Sequence, residues 1–318
     1  MSWSWAIHRL TRIGACIGVA LLVIAGGDVA IARADAGEPG PLALPHELDD
    51  EDGPITRAGM EKVLGRQPAL IGRALALLEP ERASHRDLYL IGFAGFGRQH
   101  VFRHEVEAVD ELLGERFGTR GRSLELINSP DTVDHVPLAA PDNLDVALQR
   151  LGHIMDPSED VLVLFLTSHG TPGRFAVAMD ELSLRDLTPG QLRGMLDRSG
   201  IRNRVIIISA CYAGSFVDAL KGDNTLLMTA ASADRTSFGC ADKRDWTYFG
   251  DALFNHALRH AASFSEGFDM ARQLVAEWEQ RDGSRPSEPQ ISIGRNIEAI
   301  LKDLPVGPPQ THTRGHTR

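Results

Sequence analysis

The chain has 318 residues, 43% of them hydrophobic and 24% charged, which is enough apolar material for a core in one or two domains without metal or disulfide staples. Acidic residues outnumber basic ones 43 to 33, giving a net charge of -10, and this argues against nonspecific attraction to nucleic acid or anionic lipid. Three cysteines are fewer than a small disulfide-framed domain normally carries.

The first segment places Arg9 and Arg12 before an apolar stretch, 13–27, and then Ala32-Arg33-Ala34. A basic start, an apolar middle and a small-residue site describe a secretory signal, here 1–34, cleaved after Ala34; an uncleaved membrane anchor is the alternative. Both imply export, periplasmic or secreted, with membrane contact only if that segment stays attached. No asparagine stands in an Asn-x-Ser/Thr acceptor context, which favours a bacterial periplasm. Residues 35–54 form an acidic, proline-bearing linker without assigned function. Within 55–86, Met60, Val63, Leu64, Leu70, Ala74 and Leu77 suit an amphipathic helical extension, with a break expected at Gln67-Pro68.

From 87 to 297, short apolar runs alternate with helical patterns, as in a mostly parallel sheet flanked by helices. Strands are expected at 87–95, 123–128, 160–169, 203–211 and 224–232, and helices at 103–118, 141–155, 188–200, 215–222, 247–262 and 263–283. Thr188-Pro189 and Ser265-x-x-Phe268 read as capped helix starts, the first with proline at the opening helical position. The final stretch, 298–318, reads as a disordered tail.

Two of these strands end alike. Val161 to Leu166 is apolar throughout and runs through Thr167 into Ser168-His169-Gly170; Val205 to Ile208 runs into Ser209-Ala210-Cys211. Strands of an open α/β sheet deliver ligand-binding residues at their carboxyl ends, and consecutive strands are usually neighbours, so the imidazole and the sulfur are expected at one edge. A cysteine attacks as thiolate, helped by a nearby imidazole or a helix N-terminus, and the helical pattern near Ser215 would supply the latter. His169 would protonate the leaving amine and then activate water, while the backbone N–H groups of Gly170 and Cys211 would hold the oxyanion. Alone, a strand-ending cysteine is more often inert core and a lone histidine structural; the matched contexts raise the odds. A Cys211–Cys240 bridge stays open as the alternative use of the two remaining thiols.

Other patterns fail. Gly92, Gly95 and Gly97 are in the wrong order for a dinucleotide fingerprint; His256 and His260 lack the glutamate of a zinc helix; and Ser209 stands where an α/β-hydrolase elbow needs glycine. No metal or cofactor is called for.

With these residues in view, the sequence resembles the legumain-like asparaginyl endopeptidases, relatives of caspases. His169-Gly170 and Ala210-Cys211 match the family's two strand-end elements, Arg103-His104 its Arg-His turn, Tyr248, Gly250 and Asp251 its Tyr-x-Gly-Asp step, and Gln290 its closing strand. The resemblance, over about 87–294, implies a caspase-like three-layer α/β sandwich and a cysteine endopeptidase acting on a protein or peptide. It also implies a pocket for the residue before the cut bond, lined by Arg103 and Asp251 with a third, usually acidic, position at Ser209. An asparagine amide both donates and accepts, so it suits a carboxylate beside a guanidinium; with one carboxylate lost, cleavage is expected after Asn or Asp, with Asp more competitive. Val101 and Ser168 also depart from legumain, Val101 replacing an asparagine near the catalytic histidine, so His169 must be oriented from elsewhere. An amine intercepting the thioacyl-enzyme would give transpeptidation or transamidation, and the three departures are the best grounds for a binding domain that kept only the fold.

Overall fold

The computed structural model describes residues 57–309 apart from 180, 181, 183, 241–243 and 305. The expected signal and acidic linker therefore lie outside the described residues. In chain order the elements are α1 (Arg57–Ala76), β1 (Leu88–Ala94), α2 (His100–Arg116), β2 (Ser123–Ile127), α3 (Pro141–Ile154), β3 (Val161–Thr167), the short β4 (Gly170–Thr171) and β5 (Arg174–Phe175), and α4 (Pro189–Ser199). There follow β6 (Asn203–Ser209), a 3₁₀ turn (Ala213–Phe216), α5 (Val217–Leu220), β7 (Thr225–Thr229), α6 (Tyr248–Gly250), a π-helical stretch (Asp251–Ala257), α7 (Phe264–Arg281), β8 (Gln290–Ile293) and α8 (Ile297–Leu301).

Six strands form one sheet in the order β2-β1-β3-β6-β7-β8, parallel except for the antiparallel pairing of β8 with β7. β1 and β3 are buried at every position, which is why their sequences read as unbroken apolar runs rather than alternations. Alternation reappears in what each side chain touches, because successive residues of a strand point to opposite faces. Val161, Val163, Phe165, Val205 and Ile207 share a core with Val106 and Val109 of α2 and Phe268 and Val275 of α7. Leu162, Leu164, Leu166, Ile206 and Ile208 pack on the other face with Leu144 and Leu148 of α3 and Leu192 and Leu196 of α4. Helix, sheet and helix thus make the three α/β layers expected.

The helix starts differ in how far the local residues decide them. Thr188 caps α4 in a full capping box with Gln191 and proline opens the helix, as anticipated. At α7 the cap is Ser263, whose side chain accepts from Glu266 N–H, and Ser265 falls inside the helix. α1 carries Pro68 internally without ending there, contrary to the expected break. Pro68 withholds a donor from the Leu64 carbonyl, but Leu64 lies on the solvent side, 48% exposed. Gln67 meanwhile anchors the turn: its Nε2 donates to Val63 O (3.1 Å), and its Oε1 accepts from Leu138 N (2.8 Å) and Asn143 Nδ2 (2.9 Å). Ile71 and Leu75 join the core with α3, so α1 belongs to the same body as the sheet.

The start of the expected disordered tail is ordered: α8 buries Ile297, Leu304 is buried, and Gly307 N–H donates to Arg116 O (2.6 Å). At the N-terminal edge of the sheet, buried Asp87 accepts from Arg82 Nε (2.8 Å) and lies 3.4 Å from Arg122 Nε, and its own N–H donates to Asp160 Oδ1 (2.8 Å). Among the described residues no helix is long and apolar enough to cross a membrane.

Candidate active site

β3 and β6 are adjacent and parallel, with Thr167 opposite Ser209 as the last registered pair. Ser168 N–H donates to Ser209 O (3.1 Å), and each chain then continues past the sheet for the residues of interest. His169 and Cys211 both lie two positions beyond that pair, so they leave the same edge side by side. The backbones stay close: a Cβ on Gly170 would sit 2.2 Å from the Cys211 carbonyl oxygen. What the glycine admits there is the nucleophile's own peptide. A second tie comes from Gly173 N–H, which donates to Ser215 Oγ (3.1 Å) and joins the β4–β5 hairpin to the turn after Cys211.

Cys211 and Cys240 are both free thiols, so no bridge removes the sulfur. Ser237 N–H points at Cys211 Sγ (3.3 Å), and the thiol lies 3.5 Å from Ser237 O. The N–H dipole supports negative charge as it develops on sulfur. Tyr212, next in the chain, is held in the left-handed region (φ 57°), with its N–H donated to Arg235 O (2.7 Å); such a conformation in a bulky residue persists only where the surroundings enforce it. Cys240 packs against the core, where burial pushes its thiol up to about 12.

The His169 ring sits in an aromatic socket, edge-on to Phe96 and Phe102 at centroid distances of 4.6 and 5.2 Å. Its Nε2 is 2.6 Å from Gln99 Oε1, and as an amide oxygen only accepts, the ring N–H is assigned to Nε2 and the lone pair to Nδ1. Burial holds the imidazole below its ordinary value, which favours the neutral ring, the form able to take a proton. Val101 is fully buried and offers no polar side chain, so the orienting group is Gln99, immediately before α2. Sequence reading left this partner unnamed: the two residues are 70 positions apart, and a glutamine before a helix has no signature of its own.

The pocket residues are more dispersed. Arg103 Nη1 pairs with Asp131 Oδ2 (2.8 Å), with Glu107 3.7 Å from its Nε. Asp251 Oδ1 accepts from Asn255 Nδ2 (2.9 Å) and lies 3.5 Å from His256 Nε2. Ser209 Oγ is 3.0 Å from Thr247 Oγ1. Among the described residues, no hydrogen bond joins Arg103, Ser209 and Asp251 to one another. Thr247 caps the helix that runs into Asp251, its side chain accepting from Gly250 N–H. Among the described residues no group of three or more His, Cys, Asp or Glu could hold a metal ion.

A thiol and an imidazole thus stand at adjacent carboxyl ends of parallel strands, the two groups a cysteine peptidase needs. Residues 142–299, just under half of the chain, match the Peptidase C13 family of cysteine peptidases. The match begins within α3, so β1, α2 and β2, with Gln99 and Arg103, precede it. No curated protein matches the sequence. Among solved structures, Caspase-1 from Spodoptera frugiperda is similar over 74% of this chain and 98% of that one, at 15% identity and a TM-score of 0.48.

Proposed function

We propose that the chain is an exported endopeptidase that uses Cys211 and His169 as a catalytic dyad and cuts after Asn or Asp. The observation that carries this reading is the register of β3 and β6, which sets the two residues on adjoining strand ends with Gly170 against the Cys211 carbonyl. In acylation, Sγ attacks the scissile carbonyl while its proton passes to His169 Nδ1. The N–H groups of Gly170 and Cys211 hold the oxyanion, the C–N bond breaks, and the imidazolium proton goes to the leaving amine. In deacylation, His169 takes a proton from water as the oxygen attacks the thioester, the C–S bond breaks and the proton returns to sulfur. Arg103 and Asp251 would supply guanidinium and carboxylate to the substrate side chain, and Ser209 a neutral wall, so that Asp competes with Asn.

A thiol-directed electrophilic peptide ending in Asn or Asp tests this directly: it should modify Cys211, and a panel varied at that residue should be cut after Asn and Asp. Indifference to both residues would remove the specificity, and failure to modify Cys211 would remove the dyad. Export is tested by the mature N-terminus, expected at Asp35 in a periplasmic or secreted fraction.

A further inference from the structure

Glu105 lies inside α2 and is completely buried, yet among the described residues no basic side chain pairs with it. Its carboxylate instead gathers hydroxyl and backbone donors from segments that carry the site. Oε2 accepts from the Thr167 hydroxyl at the end of β3, two residues before His169. Oε1 accepts from both Thr247 N–H (2.7 Å) and the Thr247 hydroxyl (2.6 Å). Since Thr247 gives its only hydroxyl proton to Glu105, its oxygen must act as acceptor, toward Gly250 N–H (3.0 Å) and toward Ser209 Oγ (3.0 Å). Ser209, two residues before Cys211, therefore donates, and the direction of the whole chain of hydrogen bonds follows from the carboxylate at its root. A Cβ on Gly250 would lie 2.0 Å from Glu105 Oε1, so the backbone leading to Asp251 presses on the same group.

We propose that Glu105 is a positioning residue of the Cys211–His169 site, its carboxylate fixing the ends of β3 and β6 and the start of the Asp251 helix relative to α2. This rests on the dyad reading above. The helix that holds Glu105 also carries Arg103, and follows directly from Gln99, the His169 partner; α2, β3 and the Thr247 turn thus meet at one carboxylate, with β6 joined through the Thr247–Ser209 contact. Burial pushes the carboxyl up to about 7, with Asp251 adding to the rise and the hydrogen bonds from Thr167 and Thr247 opposing it. Protonation turns an acceptor oxygen into a donor. Because Oε1 faces a backbone N–H that cannot reverse, the proton belongs on Oε2, and the Thr167 hydroxyl must then turn away.

The experiment compares the full chain with Glu105→Ala, Glu105→Gln and Thr247→Val, reading kcat and KM on an Asn or Asp peptide and the pH dependence of Cys211 alkylation by iodoacetamide, followed by mass spectrometry of the Cys211 fragment. Glu105→Ala should lower kcat about tenfold or more with KM little changed, as expected when reacting groups are misplaced rather than lost. Glu105→Gln, which keeps an oxygen for Thr247, should recover most of that loss while erasing the part of the alkylation profile that rises near pH 7. A folded Glu105→Ala chain with unaltered kcat, or a Glu105→Gln chain whose profile does not move, would overturn the proposal. If Glu105→Ala does not fold, Thr247→Val, which removes the hydroxyl that bonds Glu105, Ser209 and Gly250 N–H, gives the same reading. Should wild-type Cys211 alkylate no faster than in the denatured chain, the dyad itself fails, a result separable from any difference among the variants.

Discussion

At the N-terminal edge of the sheet, the buried Asp87 carboxylate meets the guanidinium groups of Arg82 and Arg122, whereas at the C-terminal edge Glu105 meets only hydroxyls and a backbone N–H. Asp87 is a brace between two guanidinium groups, whereas burial among neutral donors pushes the Glu105 carboxyl up to about 7. The difference separates a carboxylate paired with cations from one linked through hydroxyls toward the strand ends that carry His169 and Cys211. It agrees with the rule that open α/β sheets place chemistry at the carboxyl ends of their strands.

The comparison can be broken in four places, from the largest expected effect down. His169→Ala should reduce kcat/KM by about a thousandfold, the scale of lost general acid–base catalysis, with the fold unchanged by circular dichroism; a loss of less than tenfold would detach the imidazole from the chemistry. Asp87→Ala should cost about 3 kcal/mol in urea unfolding, because the Arg82 N–H and guanidinium lose their acceptor and Arg122 keeps only Glu79 as a carboxylate partner. The Cys211 alkylation rate of its folded fraction should match wild type, and a changed rate would mean that the two edges are not separate.

Glu105 comes third. With the folded carboxyl near 7 against an ordinary 4.5, the native state holds the proton more tightly. Its contribution to stability is full below pH 4.5 and is lost as pH rises through 7, a swing of up to about 3 kcal/mol. Urea titrations at pH 5 and pH 8 should therefore show wild type losing more stability on the upward step than Glu105→Gln; equal losses would mean that the carboxyl does not titrate there. Smallest is Gln99→Leu, which removes the acceptor from His169 Nε2–H and should lower kcat/KM by about tenfold, the worth of a buried hydrogen bond left unmade. An unchanged rate would assign the orientation of the ring to Phe96 and Phe102 alone.

The parts of this arrangement that could be read in the sequence are those fixed by local pattern. β3 and β6 announce themselves because burial on both faces leaves no polar residue between Val161 and Leu166 or between Val205 and Ile208, and His169 and Cys211 follow at matching offsets. Register did the rest. What could not be read depends on how α2 lies across the sheet: Gln99 reaches His169 over 70 positions and Glu105 reaches Thr247 over 142, and neither spacing leaves a trace in a single chain. Local ambiguity explains the smaller errors. Ser263 and Ser265 are both plausible caps, decided by where the chain turns from extended backbone, and the two-residue strands β4 and β5 are too short to show a period. The pocket residues Arg103 and Asp251 were named through family resemblance, and packing supplies the common element behind them.

Gln67 has a practical consequence for anyone trimming the protein. Its carboxamide is the acceptor for Leu138 N–H and Asn143 Nδ2, so a chain begun at residue 87 would expose the patch under Ile71 and Leu75 and orphan two donors in the loop that leads into α3. A start just ahead of Arg57 keeps that seam closed. Gains or losses of activity seen with shorter pieces would then report damage to the scaffold rather than release of a restraint.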